Sequence, residues 1–170
     1  MAINFTETRQ FTKAEKTYDE VLCLYRQLAE DNPAVYELKL AGTLMNAGGF
    51  YHDTQRFSES ERAFQESLPI IKRLAQVDPA VYESYVALAL NNVATLYRDT
   101  QRLDEAEKVY LEALALYRQL SKTNPAVHEP ALAVTLNNLG KLYRAKQQIA
   151  EAQKAFQEVK EIRQRVAERQ

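Results

Sequence analysis

The chain has 170 residues, 46% hydrophobic and 26% charged, with 22 Lys+Arg against 23 Asp+Glu and a net charge of −1. This is the composition of about one globular domain; it excludes a disordered tail, a stretch of the ~20 apolar residues that a bilayer span needs, and a basic footprint for nucleic acid or an anionic membrane. A single cysteine, Cys23, permits no internal disulfide and has no partner at zinc-ligand spacing, and four Gly and five Pro are too few for the turns of an all-β fold, so the chain reads as all-α.

The first residues, MAINFTETRQ, hold no apolar signal core, so the expected location is cytoplasmic. Residues 1–31 gain their meaning from the repetition in the rest of the chain. NPAVYE at Asn32 to Glu37, DPAVYE at Asp78 to Glu83 and NPAVHE at Asn124 to Glu129 recur every 46 residues. They divide the chain into blocks 32–77, 78–123 and 124–169, and 11 of the 46 columns are identical in all three. Among these columns are Pro33/Pro79/Pro125, Leu44/Leu90/Leu136, Asn46/Asn92/Asn138, Tyr51/Tyr97/Tyr143, Gln55/Gln101/Gln147 and Glu66/Glu112/Glu158. A fixed period of this length marks a repeat architecture. Shifted forward by one period, Phe5 falls on Tyr51, Phe11 on Phe57, Tyr18 on Phe64 and Leu22 on Leu68. Residues 1–31 are therefore a half repeat, a second helix without its first. The expected organisation is one array over 1–170: the half repeat, then three repeats at 32–77, 78–123 and 124–169.

Each block predicts two helices. The first, helix A, begins where Asn32, Asp78 or Asn124 can act as N-cap and the next residue, Pro, suits the first helical turn. Its inner stripe in the second block is Leu90, Val93, Ala94 and Tyr97, the i, i+3, i+4, i+7 pattern of an amphipathic helix. Pro130 leaves it open whether residues 125–129 form a separate short turn or the start of the third helix A. Helix B is predicted over 57–75, 103–121 and 149–167, with a kink at Pro69. In the last helix Lys160, Glu161 and Arg163 replace apolar residues of the earlier blocks, which suits a terminal cap. At the other end Phe11, Tyr18, Leu22 and Tyr25 keep the apolar pattern without the helix that should cover them. That predicts an exposed edge, hence self-association or a missing upstream segment.

These residues resemble the tetratricopeptide repeat family. Its pattern of Leu-Gly, then Tyr, then a small residue and an aromatic is met by Leu139-Gly140, Tyr143, Ala152 and Phe156. Val93-Ala94, Tyr97, Ala106 and Tyr110 match in the second block, and Ala47-Gly48, Tyr51, Ser60 and Phe64 in the first. The long period and the phrases LNNLGKLY and LDEAEKVYLEALALY are most similar to the long-helix repeats of the kinesin light chain type. The resemblance implies a right-handed α-solenoid of antiparallel helix pairs, a superhelix of about three and a half repeats and seven main helices. It also implies a non-catalytic protein-interaction scaffold whose A helices line a concave groove.

Successive residues of a helix are turned by about 100°, so Asn46, two places after core Leu44, points roughly 160° away from it. Asn92 and Asn138 do the same. With them go Met45, Gly49, His52 and Asp53 in the first block, Asn91, Thr95, Arg98 and Asp99 in the second, and Asn137, Lys141 and Arg144 in the third. By the resemblance these line the groove. An Asn amide can pair with both polar groups of a peptide bond, while Arg98, Lys141 and Arg144 can pair with acidic side chains or a terminal carboxylate. The partner expected is thus a protein or peptide of acidic character. Two other readings stay open for the Asn columns: a bond to the next repeat that sets stacking register, or plain solvated surface. The cations can equally pair with Asp53 and Asp99. His52 and His128 are the only histidines, no nucleophile motif occurs, and Gly48-Gly49 falls inside a helix pattern instead of a phosphate loop. No catalytic residue, metal, cofactor, nucleic acid or membrane is expected. Two rival functions remain, a self-assembly module that uses the N-terminal edge and a ligand-sensing portion of a larger signalling protein.

Overall fold

A computed structural model describes the backbone of residues 5–169 and the side chains of residues 11–169. The side chain of Phe5, and with it the match to Tyr51, lies outside the described residues. These form seven helices: α1 (Phe5–Asp31), α2 (Pro33–Asp53), α3 (Phe57–Val77), α4 (Pro79–Asp99), α5 (Leu103–Thr123), α6 (Pro125–Ala145) and α7 (Ile149–Ala167). The helices start at the same columns in every block, so the 46-residue period in sequence is a period in structure.

Helix B and the next helix A are separated by one extended residue, Asn32, Asp78 or Asn124, with φ between −143° and −137°. A Pro at the first helical position then loses no bond, because that N–H has no partner inside the helix. The N-cap expectation holds in part. The Asp78 carboxylate accepts from the Val81 N–H at 3.3 Å, whereas the side chains of Asn32 and Asn124 make no cap bond. α6 runs unbroken through Pro130 and α3 through Pro69, so residues 125–129 belong to the third helix A.

Each A helix turns into its B helix by the same reversal. Gln55, Gln101 and Gln147 have φ of 61°, 63° and 60°, the left-handed region. The Arg56 N–H reaches back to the Tyr51 carbonyl at 2.8 Å and the Gln55 N–H to that of His52 at 2.9 Å, with the same pair of bonds in the other two turns. This is a Schellman motif, which satisfies two helix-end carbonyls, and the constant Gln column occupies its left-handed position. The Arg56 and Arg102 guanidinium groups lie over the rings of Tyr51 and Tyr97, at 4.8 and 3.9 Å from the centroid, and so brace two of the three turns.

The chain divides into two compact units, one ending at Leu74 and the other beginning at Ala75, within α3. In the first unit α1 packs on α2, and the core gathers Leu22, Ala29, Leu40, Leu44, Ala47, Tyr51 and Ala63. Gly48 lets α3 come close, since a Cβ there would sit 2.4 Å from the Phe64 ring. Buried Ser60 and Ser67 donate to the carbonyls of Gly48 and Ala41 at 2.8 and 2.9 Å. This packing covers part of the edge of α1 that was expected to be open. Leu22 is buried, Tyr18 and Tyr25 are half-buried against the core, and Phe11 alone of the four is exposed, at 43%. The cause is α2: Tyr18 and Phe11 meet the Phe50 ring at 5.5 and 6.1 Å, and Tyr25 meets Tyr36 at 6.4 Å.

In the second unit α4 packs on α5, α5 on α6 and α6 on α7. Its core includes Ala94, Tyr110, Leu114, Tyr117, Leu136, Leu139, Leu142 and Ile162. Constant acidic columns act as ion-pair acceptors between helices. Arg26 grips Glu66 through two bonds of 2.8 and 2.7 Å in the first unit, and Arg118 meets Glu158 at 2.8 Å in the second, both at equivalent columns. Glu129 is buried and accepts from Arg165 and Arg169 at 3.2 and 2.6 Å. The polar face expected of α7 is present, with Lys160, Glu161 and Arg163 all exposed.

Candidate functional site

The A helices of the second unit, α4 and α6, touch each other directly. Their outward stripes follow from helical periodicity. Along α4 the stripe is Val81, Tyr85, Leu88, Asn92, Thr95 and Asp99, and along α6 it is Val127, Ala131, Val134, Asn138, Lys141 and Ala145. The first halves of both are apolar and open: Tyr85 is 45% exposed, Leu88 46% and Val134 52%, with Val81 and Val127 also exposed. The second halves are polar. Each helix thus presents a surface that changes character halfway along, from hydrocarbon to amides and charge.

The polar half departs from the sequence expectation. Asn91, expected to face outward, is buried, because its place on the helix turns it toward α6. There its Oδ1 accepts from Asn138 Nδ2 at 3.3 Å, so this pair joins two consecutive repeats. Thr95 is half-buried and shares a 2.9 Å hydrogen bond with the Tyr110 hydroxyl, an internal contact between α4 and α5. Burial pushes the Tyr110 phenol up, and the Thr95 bond opposes this only in part. Asn92 and Asn137 are half-buried.

Arg98 donates through Nε and Nη2 to Asp99, both at 2.8 Å, which is the internal pairing that the sequence left open. Its remaining Nη1 is buried and has no acceptor. Lys141 and Arg144 are exposed at the polar end of α6 and, among the described residues, carry no ion pair. Lys146, just past α6, behaves differently. It lies between Asp104 and Glu107 of α5, with Asp104 at 2.7 Å, and these bonds hold its ammonium well above the ordinary lysine range.

In the first unit the corresponding face of α2 is less apolar, with Val35, Lys39 and Gly42 in the columns of Val81, Tyr85 and Leu88. Asn46 and Asp53 are exposed, while Met45, Gly49 and His52 are half-buried. His52 Nδ1 lies 3.5 Å from Asp53.

The apolar half escapes the sequence reading. Counting toward the N-terminus from Asn92 by four, three and four residues gives Leu88, Tyr85 and Val81, so the stripe is traceable in principle. It stays hidden because valine, leucine and tyrosine at helical spacing read by default as core.

No curated protein matches the chain. Among solved structures, BtubC (BKLC) from P. vanneervenii aligns over 96% of the chain at 24% identity with a TM-score of 0.74, a likeness of fold. The chain spans 60% of BtubC's length. MamA aligns over 99% of both chains at 13% identity and a TM-score of 0.42. Two family models, each described as tetratricopeptide repeat, match residues 40–79 and 85–165, together more than two thirds of the chain. With these matches and seven helices repeating every 46 residues, the chain belongs to the tetratricopeptide repeat family, in a long-helix form.

Proposed function

We propose that the chain is a non-catalytic protein-interaction module that holds a segment of a partner protein against the outward face of α4 and α6. Tetratricopeptide repeats mediate protein–protein interaction, and this face supplies the means. The observation that carries the reading is the exposed apolar half, Val81, Tyr85 and Leu88 on α4 with Val127 and Val134 on α6. Apolar side chains grouped on one face gain from being covered, and such patches mark interaction sites. Hydrogen bonds to amides add only ~0.5–1.5 kcal/mol each, so the apolar residues supply most of the affinity and the polar half supplies orientation. Lys141 and Arg144, which reach solvent, favour an acidic partner. No helix among the described residues is long and apolar enough to cross a membrane.

The test is to pan a peptide-display library against the protein and against Leu88→Asp and Val134→Asp, after circular dichroism shows both variants folded. Peptides enriched on the wild type and lost on both variants support the reading. Peptides retained equally by the variants contradict it.

A further inference from the structure

The chemistry of the α4–α6 face also bears on the form of its partner, and this step rests on the binding role just proposed. We propose that the face takes its partner as an amphipathic α-helix with acidic residues at one end, rather than as an extended strand.

The first ground is the supply of hydrogen bonds. An extended segment brings an unpaired N–H and C=O at every residue, and each one buried at an interface needs a partner. The apolar half offers almost none, since Val81, Leu88, Val127 and Val134 have no polar side-chain atoms and the Tyr85 hydroxyl stands alone among them. In the polar half Thr95 is bonded to Tyr110 and Asn138 spends one N–H on the Asn91 oxygen, so the amide groups left over lie beyond the apolar half and cannot serve a strand laid along it. A helix satisfies its own backbone and asks only for apolar contact, which is what the face provides.

The second ground is spacing. Val81 to Leu88, and Val127 to Val134, each span seven residues, about 10 Å along the axis at ~1.5 Å per residue. Two such stripes on touching helices match two turns of a partner helix whose apolar residues recur at i, i+3 or i+4, and i+7.

The third ground is charge. Beyond the apolar half, Lys141 and Arg144 are exposed and have no ion pair among the described residues. Arg98 is already paired with Asp99, so Lys141 and Arg144 are the cations left open to a partner. Carboxylates at the matching end of the partner would complete the site.

Two display libraries of equal apolar and acidic composition separate the forms. One randomises the exposed face of a stably helical scaffold; the other is a linear library with prolines that forbid a helix. Both are panned against the protein, with Leu88→Asp and Val134→Asp marking the site and the double variant Lys141→Glu, Arg144→Glu marking the charge. The expected result is binders from the helical library that lose at least about tenfold in affinity on either apolar-site variant, and several-fold on the charge variant. Site-dependent binders from the helix-forbidden library alone, or equal enrichment from both, would overturn the helical inference and leave the binding role standing. No site-dependent binder from either library would overturn both.

Discussion

Asn138 Nδ2 donates to Asn91 Oδ1 at 3.3 Å, from one repeat to the one before it. The bond joins neighbouring columns of the repeat, so the constant Asn column does different work in different blocks: Asn46 is exposed, Asn92 is half-buried and Asn138 holds α6 to α4. Replacing Asn138 by Ala leaves the buried Asn91 amide short of a partner and is expected to cost about 1 kcal/mol, whereas Asn46→Ala should stay within about 0.5 kcal/mol of the wild type. Urea unfolding of the two variants checks this. Equal losses would show that the bond contributes nothing to stacking.

Gly48 and Gly140 occupy one column, yet they should respond differently to a methyl group. A Cβ at Gly48 meets the buried Phe64 ring at 2.4 Å, and one at Gly140 meets the half-buried Phe156 ring at 2.7 Å. The column holds Ala94 in the second repeat, so alanine is compatible where the opposing ring can settle elsewhere. Gly48→Ala is expected to destabilise by about 1–3 kcal/mol, and Gly140→Ala by less, because Phe156 is freer to shift. Thermal melts of both variants decide whether that order holds.

The left-handed turns offer a gain in stability. Gln101 has φ 63° and carries a conformational cost that glycine escapes, although glycine also loses more freedom on folding. The balance favours Gln101→Gly by about 0.5–1 kcal/mol. Since the two backbone bonds of the turn do not involve the side chain, nothing else in the turn should change. A lower unfolding midpoint would mean that the Gln side chain contributes more than its backbone geometry shows.

Alkaline stability should depend on Tyr117. Its burial among apolar residues pushes the phenol up to about 12 from an ordinary value of 10.0. Between these values the unfolded chain has released the proton and the folded chain has kept it. The contribution is therefore fully present below pH 10 and is lost as pH rises toward 12. The loss amounts to about 2–3 kcal/mol, which Tyr117→Phe should largely remove while changing little at pH 7. Chemical unfolding at pH 9 and pH 11.5 for both proteins measures the difference.

The fold was legible because repetition fixes it three times over: a one-residue linker before Pro33, Pro79 and Pro125, and a turn after Tyr51, Tyr97 and Tyr143, set every boundary between consecutive helices. The course of α3 through Pro69 was legible, but that of α6 through Pro130 was not, because a missing backbone bond can be tolerated where tertiary packing holds the helix. The face of α4 and α6 was half legible. Helical geometry identified Asn92 and Lys141 as outward, but Asn91 lies about 100° around the helix from Asn92, and only the position of α6 decides that it is buried. The openness of Val81, Tyr85 and Leu88 depends on what does not cover them, and a sequence pattern alone cannot show this.

Binding of a partner on the exposed face of α4 and α6 is tested most directly by isothermal titration of a display-selected peptide. The proteins to compare are the wild type, Leu88→Asp and, as a control on the exposed side of α5, Leu111→Asp. If the face is the site, Leu88→Asp weakens binding by at least about tenfold, which is roughly 1.4 kcal/mol, while Leu111→Asp leaves Kd within about twofold. An unchanged Kd for Leu88→Asp, or an equal loss for both variants, would contradict it.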